Sequence, residues 1–312
     1  MQTIFLGTPA IAVPFLERLH QKTTVAGVIT SPDQPAGRGY ELKAPEVKVA
    51  ALRMGLPVFQ PESLKNPSPL LPLPFARGEG GGEGNLDFGV VVAYGKLLPK
   101  EVLCIPKHGF LNVHFSLLPK YRGAAPIQWA LINGETETGV TLFWLDEGMD
   151  TGAIFLQKKM AIQPEDDADS LRNKLVDAGV ICLEDALELI EKGEIRKTPQ
   201  TGAASKAALL KKEDGRINWE KPAESLWNQV RGMTPWPGTH AGHLKILKAR
   251  PVFEDKEAPP GMIIDLVSDE GPVVKCGRHS LALLQVQPEG KKPMTAWSWW
   301  QGARLKIGDK IG

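Results

Sequence analysis

Apolar residues along this chain fall into short runs whose spacing switches between two periods. The runs at 3–8 (TIFLGT), 24–30 (TVAGVIT), 88–95 (FGVVVAYG) and 109–115 (GFLNVHF) are each of single-strand length and continuous or β-rich. Between them, 10–21 (AIAVPFLERLHQ) and 46–55 (EVKVAALRMG) space their apolar residues as helices do. Continuous apolar strands separated by helices predict an α/β fold with a mostly parallel sheet covered on both faces. Further strands are predicted at 139–145 and 153–162, then a long helix from about Ser170. Leu171, Leu175, Leu183, Leu187 and Ile190 lie on one face of that helix, and Gly193 suits its C-terminal stop.

After residue 193 the pattern changes. Residues 194–218 carry Lys and Arg without periodicity, a helix is predicted at 222–232, and short strands follow at 244–249, 261–267, 272–276 and 280–286. Closely spaced strands after an α/β unit predict a separate small β-barrel. The expected division is 1–192, a linker at 193–208, and a C-terminal domain at 209–312. One segment breaks the rhythm. Residues 66–85 (NPSPLLPLPFARGEGGGEGN) are dense in proline and glycine where an alternating chain would place a crossover helix, and are expected to be a surface insertion.

Length and composition sharpen this picture only in places. At 312 residues two domains are expected, and 42% apolar with 23% charged residues is ordinary for a globular protein. The net charge of +1 hides an imbalance: 1–192 hold 18 basic and 23 acidic residues (net −5), and 193–312 hold 19 and 13 (net +6). Such asymmetry fits a polyanionic partner for the basic half, and equally fits uneven but solvated surfaces. Cys104, Cys182 and Cys276 lie far apart without a CxxC pair, so they read as reduced core residues with no metal site. The chain opens on an apolar strand, and no apolar run approaches the ~20 residues of a membrane span; a cytoplasmic protein without membrane partners is expected.

Several chemistries are disfavoured by missing motifs. The first strand runs into GTPAIAVP, which is no GxGxxG, and there is no Walker A, GxSxG or HExxH sequence. The stretch NVHFSLLPKYRGAAPIQ (112–128) is different. Residues two apart on a strand face one way, so Asn112, His114 and Ser116 are expected to converge while Val113 and Phe115 enter the core. They sit at the C-terminal end of a strand, where open α/β sheets bind ligands. The turn LDEGMDTG (145–152) offers Asp146, Glu147 and Asp150. An amide, a protonated imidazole and a carboxylate suit acyl transfer, the first two holding an oxyanion and the carboxylate keeping the imidazole charged. The plainer reading of the same spacing is a core histidine with a satisfied hydrogen bond and an aspartate capping a turn.

NVHFSLLPKYRGAAPIQ together with DEGMDTG resembles the 10-formyltetrahydrofolate-dependent formyltransferases, and the likeness covers nearly the whole chain. FLGTPAIAVPFL, the PAGRG loop within 31–64, VVVAYGKLLP, INW, MTPWPGT and QPEGKKPMTA carry it further. The resemblance implies a Rossmann-like formyltransferase domain joined to an OB-like barrel. It makes Asn112, His114 and Asp150 the catalytic trio, with Asp150 raising the pKa of His114. Ser116, Leu117, Leu118 and Pro119, with Tyr94, Gly95, Lys96 and Leu97, become the folate-binding residues. The formyl donor is 10-formyltetrahydrofolate, and no metal is implied.

The PAGRG loop and the basic C-terminal half point to the branch whose acceptor is the amino group of methionine esterified to initiator tRNA. The loop 32–48 would then engage the acceptor end, Arg38 making the decisive contact, with charge from Lys43 and Lys48. Lys206, Lys211 and Lys212 are the other candidate tRNA contacts, and a monomer is expected. The alternative acceptors are an amino sugar nucleotide or a purine precursor. Two departures stand out: 66–85 fall where relatives have a helix, and Phe115 is bulkier than the small residue usual there, so it either narrows the pocket or packs inward.

Overall fold

The computed structural model describes residues 1–36, 41–64, 86–254 and 256–312. The 66–85 segment and Arg38 lie outside the described residues. The chain divides into two compact units: Met1–Ala124 with Thr138–Met160 and Lys174–Lys206, and Ala125–Glu137 with Ala161–Asn173 and Ala207–Gly312.

The first unit is built on a seven-stranded sheet. Its spatial order is Ile154–Ala161, Glu137–Trp144, Phe110–His114, Phe88–Val92, Gln2–Gly7, Thr24–Ile29 and Val58–Phe59. Five of these strands run parallel, from Phe110–His114 across to Val58–Phe59, and Glu137–Trp144 runs antiparallel to Phe110–His114. The mostly parallel sheet is as the apolar runs predict. Phe88–Val92 is buried along its whole length, as a central strand covered on both faces must be.

The helices follow from their sequences. Val13–Lys22 starts with Pro14 in its first turn, where a missing N–H costs nothing, and buries Phe15, Leu16 and Leu19. It ends where the Thr23 hydroxyl donates to the Leu19 carbonyl at 2.8 Å. The long helix spans Ala168–Glu191. Asp167 caps it, its carboxylate accepting from the backbone N–H groups of Asp169 and Ser170 at 3.0 and 2.8 Å. All five apolar positions singled out on its face are buried. Gly193 stops it with φ +77°, a conformation that costs glycine little.

The second unit holds a six-stranded sheet with Thr239–Ala241, Leu244–Val252, Ser280–Pro288, Gly271–Lys275 and Ile263–Val267 in order, and Met294–Thr295 paired with Gln285 and Val286 of Ser280–Pro288. Its pairings are antiparallel. Leu226 and Val230 of helix Ala223–Met233 join Ile246, Ile263, Leu281 and Leu283 in its core. A helix at Ala296–Gly302 also packs here, with Trp299 and Trp300 against that cluster. Helix Pro126–Ile132 belongs to this unit too, and Ala125, Trp129 and Ile132 pack with Leu210 and Met233. Neither helix was apparent in the periodicity, each being only seven residues long.

Two expectations need correction. Cys104 is at the surface, and only Cys182 and Cys276 are buried; all three are free thiols. Burial pushes both buried thiols up to about 12. The stretch read as a loop at 32–48 contains a hairpin, Gln34–Ala36 paired with Glu41–Lys43, followed by helix Glu46–Arg53. Among the described residues no helix is long and apolar enough to cross a membrane.

Candidate active site

Strand Phe110–His114 carries the polar pair. Asn112 stands opposite Phe143 and His114 opposite Thr141 on one neighbour, and Asn112 opposite Val91 on the other. The strand ends at His114, so the alternation ends there too. Ser116 does not join the row as expected: it is fully buried, and its hydroxyl donates to the Lys120 carbonyl at 2.6 Å. Phe115 packs inward, edge-on against Phe15 with ring centroids 6.0 Å apart.

The loop Ser116–Pro119 is held by side chains that the sequence did not mark. The Thr141 hydroxyl donates to the Ser116 carbonyl at 2.6 Å and accepts from the Leu118 N–H at 3.1 Å. Gln157 donates to the Leu118 carbonyl at 2.9 Å and to the Thr141 hydroxyl at 3.0 Å. Leu118 is thereby buried, while Leu117 and Pro119 are half-exposed.

The turn after Glu137–Trp144 sorts its three carboxylates. Asp146 braces the turn itself, accepting from the Gly148 N–H at 3.1 Å and the Thr151 hydroxyl at 2.7 Å. Glu147 is exposed, 3.8 Å from Lys100 Nζ. Only Asp150 reaches the strand: its Oδ2 lies 3.7 Å from His114 Nδ1 and accepts from the Gly123 N–H at 2.7 Å. Gly152 allows the turn to close, since a Cβ there would sit 1.8 Å from the Trp144 carbonyl oxygen.

His114 is buried and its Nε2 is 2.9 Å from the Tyr121 carbonyl oxygen. A carbonyl only accepts, so Nε2 carries a hydrogen and Nδ1 is the nitrogen left for Asp150 and a substrate. Burial lowers the pKa of His114 below its ordinary 6.5, and the opposing pull of Asp150 and the Tyr121 carbonyl does not outweigh it. Asp150 does pull the His114 pKa upward, as expected, but burial outweighs that pull, so the imidazole is not kept charged: at neutral pH it is neutral, with a proton-accepting Nδ1. Asn112 is half-buried, and its carboxamide has no hydrogen-bond partner among the described residues.

The remaining candidates separate. Tyr94 is buried among Leu98, Val102 and Phe110; its hydroxyl has no hydrogen-bond partner among the described residues, and burial pushes its pKa up to about 12. Gly95 and Leu97 are exposed. Lys96 donates to the Glu62 carbonyl at 3.0 Å and more weakly to that of Pro61 at 3.4 Å. Lys43 pairs with Glu46 at 2.7 Å. Lys48 is committed elsewhere: its Nζ donates to both Asp33 oxygens at 2.9 and 2.7 Å, and Gln60 adds a bond to Asp33 at 2.7 Å. These bonds, that of Gln60 first, lower the Asp33 pKa. Lys48 thus braces the base of the hairpin. Lys206, Lys211 and Lys212 are exposed.

An amide, a buried neutral imidazole and a carboxylate thus stand together at one sheet edge, a set of groups suited to acyl transfer. Residues 1–187 match the formyl transferase family and residues 209–304 the formyl transferase C-terminal domain. The chain belongs to the formyl transferase family. Among curated formyl transferases it is 44% identical to the methionyl-tRNA formyltransferase of Sorangium cellulosum over 319 aligned residues, covering 100% of both chains. It is 46% identical to that of Thermodesulfovibrio yellowstonii, covering 98% of this chain and 97% of the other. Solved structures share the fold at lower identity. WlaRD, a sugar 3N-formyl transferase, superposes with TM-score 0.68 at 20% identity over 94% of this chain and 99% of its own. HypX from Aquifex aeolicus in complex with tetrahydrofolic acid gives TM-score 0.61 at 16% identity over 100% of this chain and 50% of its own.

Proposed function

We propose that this formyl transferase moves the formyl group of 10-formyltetrahydrofolate onto the amino group of methionyl-initiator tRNA, giving N-formylmethionyl-tRNA for translation initiation. The observation that carries this reading is end-to-end similarity, at 44% and 46% identity, to proteins named methionyl-tRNA formyltransferase. Members that act on sugars share the fold at about 20% identity, which supports that alternative far less.

In the proposed reaction the methionyl nitrogen attacks the formyl carbon, and the Asn112 carboxamide donates to the oxyanion that develops. The proton shed by the amine goes to His114 Nδ1, and Asp150 stabilises the imidazolium formed. As the bond from the formyl carbon to N10 breaks, His114 returns the proton to N10, so the new amide and the released tetrahydrofolate are both neutral at the reacting atoms. Ser116–Pro119 and Tyr94–Leu97 line the folate side. In this reading Arg38, Lys43, Lys206, Lys211 and Lys212 contribute to tRNA binding. The enzyme works as a cytoplasmic monomer, and no step calls on a metal.

Incubation with 10-formyltetrahydrofolate and methionine charged on initiator or elongator tRNA tests the assignment. Rapid formylation of the initiator species alone is expected. Formylation of an amino sugar nucleotide with neither tRNA modified would overturn it.

A further inference from the structure

The aperiodic stretch that follows the long helix closes on the acyl-transfer site. Thr198 pairs with Ile154, the two backbones exchanging hydrogen bonds of 2.7 and 2.9 Å. Two residues later, Gln200 uses both hydrogens of its amide on the turn that carries Asp150, donating to the carbonyls of Asp150 and Gly152 at 2.9 Å each. Its Oε1 accepts from Arg122 Nε at 3.1 Å and Nη2 at 2.6 Å. The amide is saturated, and its orientation is set by chemistry: only the oxygen can face the guanidinium.

Arg122 is equally tied. Its backbone N–H donates to the Ser205 carbonyl at 2.8 Å, and the Tyr121 N–H donates to the Ser205 hydroxyl at 2.9 Å. The neighbours of Arg122 are the partners of the site itself: the Tyr121 carbonyl accepts from His114, and the Gly123 N–H donates to Asp150. A closed circuit results, running from His114 through Tyr121, Arg122 and Gln200 to Asp150 and back. Asp150 needs this. It is not a glycine, yet its φ is +53°, a conformation that persists only where surrounding contacts over-determine it.

We propose that Gln200, oriented by Arg122, is a positioning residue for the reaction: it holds the strained Asp150 turn so that the carboxylate faces His114. This rests on the reading of Asp150 as a member of the trio. The stretch after the long helix is then part of the active site and not a tether. Because Gln200 acts through Asp150, its loss has a signature that general destabilisation lacks.

A double-mutant cycle in the full chain, assayed with 10-formyltetrahydrofolate and methionyl-initiator tRNA, tests this. Gln200→Ala is expected to lower kcat about 10- to 100-fold, with KM for either substrate changed less than about threefold. Gln200→Glu keeps the size and the acceptor for Arg122 but lacks both donors, so it is expected to lower kcat to a similar extent. In an Asp150→Ala background, Gln200→Ala is expected to cost less than about threefold. An equal kcat loss in both backgrounds overturns the proposal, as does a parental kcat in both Gln200 variants. A parental kcat in Asp150→Ala alone overturns the reading of the trio, and the positioning role with it.

Discussion

At the scale of single residues, the site is governed by which of two opposed effects on His114 is larger. Asp150 lies 3.7 Å from Nδ1, which favours charge, but full burial removes the water that would solvate it, and burial wins. The sign of the consequence follows from linkage. The unfolded chain takes up a proton on this histidine as pH falls through about 6.5, and the folded chain resists doing so until lower pH. Stability from the neutral, buried imidazole is present above the unfolded pKa and lost as pH falls toward the folded one. His114→Gln removes that contribution. Between pH 7 and pH 5 the melting temperature of the parent is expected to drop a few degrees more than that of the variant, read by circular dichroism. Parallel pH profiles would show that His114 titrates the same folded and unfolded.

At the scale of elements, the segments without periodicity divide by what their flanks do. The stretch 194–206 is tied to the first unit at Thr198, Gln200 and Ser205, and by the Arg196 carbonyl, which accepts from Trp144 Nε1 at 2.9 Å. The proline- and glycine-rich segment has a different signature. Leu64 before it and Leu86 after it are both buried in one cluster with Tyr94, Val102 and Phe110. Ends that converge on one cluster can be joined by a short connection, and shortening a loop changes closure entropy only slowly. Replacing 66–85 with a short Gly/Ser bridge is therefore expected to leave activity within about twofold and melting temperature within about 2 °C. A drop of several degrees, or loss of most activity, would show that the segment packs or acts.

At the scale of the whole molecule, the compact units do not follow the order of the chain. Ala125, Trp129 and Ile132 belong by sequence to the N-terminal family match, yet they pack with Leu210 and Met233, beyond its end. Trp129 Nε1 also donates to the Ala208 carbonyl at 2.8 Å. Cutting the chain after residue 208 strips the apolar partners from this face. Full burial of one such large side chain is worth about 1.5–3 kcal/mol. The fragment 1–208 is expected to melt at least several degrees below the full chain and to self-associate in gel filtration. A fragment as stable and monomeric as the parent would show that Leu210 and Met233 are dispensable to this face.

Much of this was legible without coordinates because it rests on local periodicity. Continuous apolar strands, the helical face from Leu171 to Ile190 and the Asn112–His114 alternation are properties of neighbouring residues, so sequence alone determined the α/β class, the run of short strands in the C-terminal part and the pairing of an amide with an imidazole. The tertiary structure decided everything that depends on who sits opposite whom. Of Asp146, Glu147 and Asp150, chemically interchangeable on paper, one reaches His114, because Gly123 receives it from another loop. Ser116 left the row because its strand stops two residues earlier. Gln200 entered the site from a stretch with no pattern, since a hydrogen bond across 50 residues leaves no local trace. The charge state of His114 reversed because desolvation depends on what surrounds a group in space, which neither spacing nor composition records.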